Sequence, residues 1–208
     1  MTPPIDAALS LWKRRMEGAA LRTLGPDATP DPTSFRDEMG HRRAVDGPFL
    51  AATTAQRLSA GPRPEATVDE LLWHAAAETL PLERVPALIG SAHDGPLYGE
   101  AFAGTVEVFT ESQLCAVHAL HLLAMKHDRA DWLDAALRAC RWMQDNLQPD
   151  NATNHPWGIH VFLLADARGI TTAGTLYADS MLMNCQVNLG RPDSLSAYIL
   201  RHAASCLP

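Results

Sequence analysis

Two runs of helical-period apolar residues lie between Glu111 and Leu147, with only His127-Asp128-Arg129 between them. A link this short cannot carry the chain across a domain, so the two helices must lie side by side and run in opposite directions. The first is read as 111–127. The second, 130–147, sets Trp132, Ala136, Cys140, Met143 and Leu147 on one broad apolar stripe. The chain is rich in Ala and Leu, is poor in runs of Val or Ile and has no convincing strand alternation, so helix is favoured over sheet.

The other segments read the same way. Ile5, Leu9, Trp12, Met16, Ala20 and Leu24 recur at helical spacing and predict a first helix over 5–24, stopped by Gly25-Pro26. Pro26, Pro30 and Pro32 then mark a hinge, which separates 1–33 from a helical domain over 34–208. Short helices are expected over 34–45 and 49–58. Thr67 and Glu70 have the spacing of a capping box ahead of Leu71, Leu72 and Ala75. Residues 91–99 read as a loop, and 98–109 stay open between helix and extended chain. The segment 157–167 is apolar nearly all round and closed by Gly169, so it should be central, with Pro156 at its first turn. Helices over 174–189 and 193–206 are expected to pair as a last hairpin about Gly190-Arg191-Pro192.

Leu114, Leu120 and Asp131 stand 62 positions before Leu176, Leu182 and Asp193, and Asp69 stands the same distance before Asp131. Such a register predicts an all-α fold of stacked antiparallel helical hairpins. The aspartates read as helix-start residues favoured by the helix dipole. Asp179 reads as a boundary residue.

The run from Cys140 to Asp150 (Cys-Arg-Trp-Met-Gln-Asp-Asn-Leu-Gln-Pro-Asp), with Asn154-His155-Pro156-Trp157 beyond it, resembles the helix ends and following loops of α/α-toroid proteins of the six-hairpin glycosidase-like group. The likeness spans about residues 111–206. It implies an open arc or partial α/α toroid, because a full ring needs about twice as many hairpins as this chain supplies. In that group, catalytic carboxylates and stacking aromatics project from loops at one end of the ring. By resemblance Asp150 and Trp157 occupy such a loop, although no catalytic motif of the group matches residue by residue.

Charge narrows the function. With 17 Lys and Arg against 24 Asp and Glu, the formal charge is -7, which argues against a nucleic-acid partner held by phosphate contacts. No stretch is long and apolar enough to span a bilayer, and the N-terminal segment lacks the apolar core and cleavage site of a signal peptide, so a cytoplasmic protein is expected. The four cysteines, Cys115, Cys140, Cys185 and Cys206, form no C-x-x-C pair, so each is expected as a buried free thiol.

Two constellations carry candidate chemistry. At about 100° per residue, Glu111, His118 and His121 share one helix face, where a carboxylate and two imidazoles could hold a metal. The favoured reading is histidines hydrogen-bonded at a helix interface, with no cofactor expected. The second constellation is the loop Asp150, Asn154, His155 and Trp157 with His160 one turn on, joined by His93 and Tyr98. It supplies directional polar groups and flat apolar faces suited to a polar small molecule. Two function classes stay open. One is a helical interaction or scaffold protein with a protein partner or self-association. The other is an enzyme or binding protein for a carbohydrate-like or other polar small molecule.

Overall fold

In a computed structural model, residues 5–25, 28, 35, 44–54, 56–90, 95–99, 106–147 and 155–208 are described. The described residues are all-helical: α1 Ile5–Leu21, α2 Asp46–Thr53, α3 Val68–Ala76, α4 Val85–Leu88, α5 Val106–Lys126, α6 Ala130–Asn146, α7 Ile159–Ala167, α8 Gly174–Asn184 and α9 Ser194–Ser205. A single turn of 3-10 helix, Leu82–Arg84, leads into α4. No helix among the described residues is long and apolar enough to cross a membrane.

The α5–α6 hairpin forms as the short link requires. Asp128 takes a left-handed conformation (φ 51) and the Arg129 N–H returns to the Ala124 carbonyl at 2.9 Å, which closes α5 and turns the chain. α5 starts at Val106, five residues before the expected Glu111, so the open stretch before it resolves to helix from there. α7 is central, with Ile159 to Leu163 and Ala165 all buried, as its unbroken apolar character predicts. Gly174, at the start of α8, packs so closely on α7 that a Cβ there would overlap the Phe162 carbonyl.

Three local expectations are corrected. Thr67 is the N-cap of α3, but its side chain makes no cap hydrogen bond; Glu70 is drawn instead to Arg63, at 3.1 Å. α8 ends at Asn184, and Cys185 to Leu189 continue as turns. The expected α8–α9 hairpin gives way to another pairing: α8 packs on α7, and the main partner of α9 is α1. The offset of 62 would set α5–α6 over α8–α9, and the packing does not follow it. Most of the short helix expected over 34–45 lies outside the described residues.

The α1–α9 contact joins the two ends of the described chain. Lys13 Nζ donates to the Leu207 carbonyl at 3.1 Å, and Arg15 crosses to Asp179 of α8 at 2.6 Å, on the half-exposed boundary expected for that aspartate. Leu9, Trp12 and Met16 of α1 enter the same hydrophobic core as the rest of the chain, on the far side of the hinge drawn at residue 33. That core has an aromatic centre. Phe49 of α2 meets Trp73 of α3 and Trp157 edge-on, each with ring centres 5.0 Å away, and Trp157 lies 5.6 Å from the ring of His118. Because α7 touches both α5 and α9, polar residues on these three helices can meet inside it.

Candidate metal centre

Four histidines and one cysteine converge there. α5 contributes His118 and His121, one turn apart; α7 contributes His160 from its first turn; α9 contributes His202 from its last turn and Cys206 just past its end. His118 and His160 are 0% exposed and His121 is 1% exposed. Nε2 of His118 lies 2.8 Å from Nδ1 of His202, and Nε2 of His160 lies 3.0 Å from Nδ1 of His121. The ring centres of His118 and His160 are 4.5 Å apart, so the two pairs form one cluster.

Gly158 fixes the hydrogens of the first pair. Its N–H donates to Nδ1 of His118 at 3.2 Å, so that nitrogen carries no hydrogen. Neutral His118 therefore holds its hydrogen on Nε2 and donates it to Nδ1 of His202, whose own hydrogen must sit on Nε2. Both nitrogens of His118 and Nδ1 of His202 are thereby committed. Gly158 is suited to this place, since its φ of 70 is left-handed and a Cβ would lie 3.1 Å from the Leu114 carbonyl.

Burial keeps the cluster neutral. It pushes His118 and His160 well below the ordinary imidazole value, and the neighbouring histidines push in the same direction. His121 and His202 are lowered to about 4, chiefly by burial. Cys206 is raised by burial to about 11, so without a metal its thiol stays protonated at neutral pH. Neutral imidazoles are the form that ligates metals.

Stability does not explain such a cluster. A buried nitrogen without a partner costs about 1–3 kcal/mol. Apolar side chains of similar volume commonly serve a core as well as buried polar groups do. Nδ1 of His160 and Nε1 of Trp157 are both buried without a hydrogen-bond partner. The indole N–H can only donate, so of the two only the imidazole nitrogen could face a metal.

A metal fits the donor set. The ligand atoms of His121, His160 and Cys206 all lie within 4.8 Å of one another. Tetrahedral zinc with nitrogen and sulfur ligands places its donor atoms about 3.3 to 3.6 Å apart. The widest separation therefore has to close by about 1.2 to 1.5 Å, while the 3.0 Å contact between His121 and His160 has to open slightly. Two imidazoles and a thiolate suit zinc or a similar borderline-soft transition metal, and three protein ligands leave a fourth position for water or a small ligand.

The residues singled out in the sequence are distributed as follows. His118 and His121 are in the cluster, but Glu111 is not their co-ligand: its Oε1 lies 3.3 Å from Nδ1 of His155, whose Nε2 lies 3.7 Å from Oδ2 of Asp193. His160 joins the cluster. Trp157 is 0% exposed, and its ring packs on Phe49, Trp73 and His118 rather than facing an opening. Tyr98 is buried some way along α5, its carbonyl accepting from Gln113 at 3.0 Å. His93, Asp150 and Asn154 lie outside the described residues. His202 and Cys206 were not singled out as site residues, although their spacing of four places both on one face of the last helix. Comparisons with protein families, with curated proteins and with solved structures found no match to this chain.

Proposed function

We propose that this chain is a metal-binding protein that holds a zinc-like divalent transition metal on His121, His160 and Cys206. The observation that carries this reading is the convergence of those three donors, two buried imidazoles and a partly buried thiol, within 4.8 Å of one another. Binding displaces the thiol proton of Cys206, so affinity rises with pH. The hydrogen-bonded pair His118 and His202 packs beside the ligands, with the ring of His118 4.5 Å from that of His160. The fourth position is where a water or a small polar ligand binds the metal. A scaffold role alone assigns no task to three buried imidazoles with a fourth, partly buried, beside them. A sugar stacked on Trp157 needs a ring face that packing already covers.

The test is metal binding by tag-free protein stripped with chelator. Zinc or cobalt at one equivalent is expected to bind and to raise the melting temperature, and cobalt is expected to give visible absorption with a thiolate charge-transfer band. His121→Ala and Cys206→Ser are expected to lose the tight binding. Retention of no metal after dialysis, with no cobalt spectrum and no thermal shift, sinks the proposal.

A further inference from the structure

A second polar site lies on α3, independent of the metal centre. Glu70 and His74, one turn apart, are only 3% and 4% exposed, yet both line a surface cavity of about 480 Å3 together with Arg63, Pro48, Leu58 and Ala60. Thr79 fixes the hydrogen of the histidine. Its hydroxyl donates to the His74 carbonyl at 3.1 Å, which leaves the hydroxyl oxygen to accept from Nδ1 of His74 at 2.7 Å. Neutral His74 therefore carries its hydrogen on Nδ1, and Nε2 is a bare acceptor. Burial lowers the affinity of this ring for a second proton, against the attraction of Glu70.

Nε2 of His74 lies 4.0 Å from Oε1 of Glu70, so two acceptors face each other with no hydrogen between them. Oε1 of Glu70 has only a long contact to Arg63 Nε, 3.4 Å, while Oε2 takes the better bond, 3.1 Å. One nitrogen bearing several hydrogens can stand about 2.9 Å from both acceptors. The charge agrees. Arg63 is shared between Glu70 and Glu65, at 3.1 and 3.2 Å, so this group carries one negative charge in excess. Pro48, Leu58 and Ala60 supply an apolar wall for the body of the ligand.

We propose that this pocket binds a small primary ammonium ligand, which donates N–H bonds to Glu70 Oε1 and His74 Nε2 and lays a short apolar body against Pro48 and Leu58. The probe is n-butylammonium, titrated into the full chain while the imidazole nitrogens of His74 are followed by NMR. Saturable shifts of the His74 nitrogens at millimolar ligand are expected, with none from tetramethylammonium, which has the charge but no N–H. His74→Phe and Glu70→Gln, each verified as folded by circular dichroism, are expected to weaken binding about tenfold or more. The wild-type titration decides even if a variant fails to fold. No saturable shift, or equal shifts from tetramethylammonium, overturns the proposal. His74 is not a ligand of the metal centre, so neither result depends on that reading.

Discussion

The backbone N–H of Gly158 reaches Nδ1 of His118 at 3.2 Å, and that bond dictates where His118 and His202 carry their hydrogens. It depends on a residue without a Cβ. In Gly158→Ala the left-handed φ of 70 is strained and the new carbon meets the Leu114 carbonyl at 3.1 Å. The strain alone costs about 1–2 kcal/mol, and the loop must also back away from α5. Urea unfolding is expected to show a lower midpoint with an unchanged slope, and zinc is expected to bind more weakly because the rings beside the ligands lose their anchor. A variant as stable as the parent, with the same zinc affinity, would show that this bond orders nothing.

The pair His121 and His160 predicts a non-additive mutant cycle. His121→Leu leaves Nε2 of His160 without the partner it has at 3.0 Å, and His160→Leu does the same to Nδ1 of His121. Each single change is expected to cost the metal-free protein about 1–3 kcal/mol. The double variant removes both polar groups together and is expected to lie close to the parent in stability. In all three the zinc-induced rise in melting temperature disappears. Chemical unfolding with and without zinc measures both effects.

Local pattern made the helices legible, and long-range contact hid the site. Trp132, Ala136, Cys140 and Met143 are buried along α6 as their spacing implies, and α7 is central because it is apolar on every side. The α1–α9 pairing has no local signal, since Lys13 and Leu207 stand 194 positions apart when they bond. The shared face of His118 and His121 could be read from helix geometry. Their partners could not: His160 and His202 meet them only after three helices pack, and Cys206 alone reads like any apolar-face thiol. Glu70 shows the same limit in miniature, its capping spacing overridden by Arg63 from an earlier loop.

In the proposed site, Cys206 is the donor that sets the metal preference. Its thiol, raised to about 11, must lose a proton on coordination, so near neutral pH each bound zinc releases one proton from this residue. Cys206→Ser replaces a soft donor by a hard, poorly ionising hydroxyl. Zinc affinity is expected to fall more than tenfold, as an estimate of about 1.4 kcal/mol or more, and the charge-transfer band of the cobalt form is expected to vanish while its weaker visible bands shift. Competition titration with a chromophoric chelator at several pH values measures the affinity and the proton release together.

Acid should unfold the metal-free protein through its histidines. His121 and His202 have folded values near 4, below the ordinary 6.5 that they regain on unfolding. Between those values the unfolded chain binds more protons than the folded one, so stability is full above pH about 6.5 and falls as the pH drops toward 4. Each group contributes on the order of 3 kcal/mol across that window, with a slope of about 1.4 kcal/mol per pH unit. His118 and His160, also lowered, add to the loss in the same direction. Melting temperature is therefore expected to decline steeply from pH 7 to pH 5, and less steeply in the His121→Leu/His160→Leu double variant, which keeps only two of the four rings. A pH-independent melting temperature over this range would mean that the rings are already charged or exposed in solution, contrary to a buried neutral cluster.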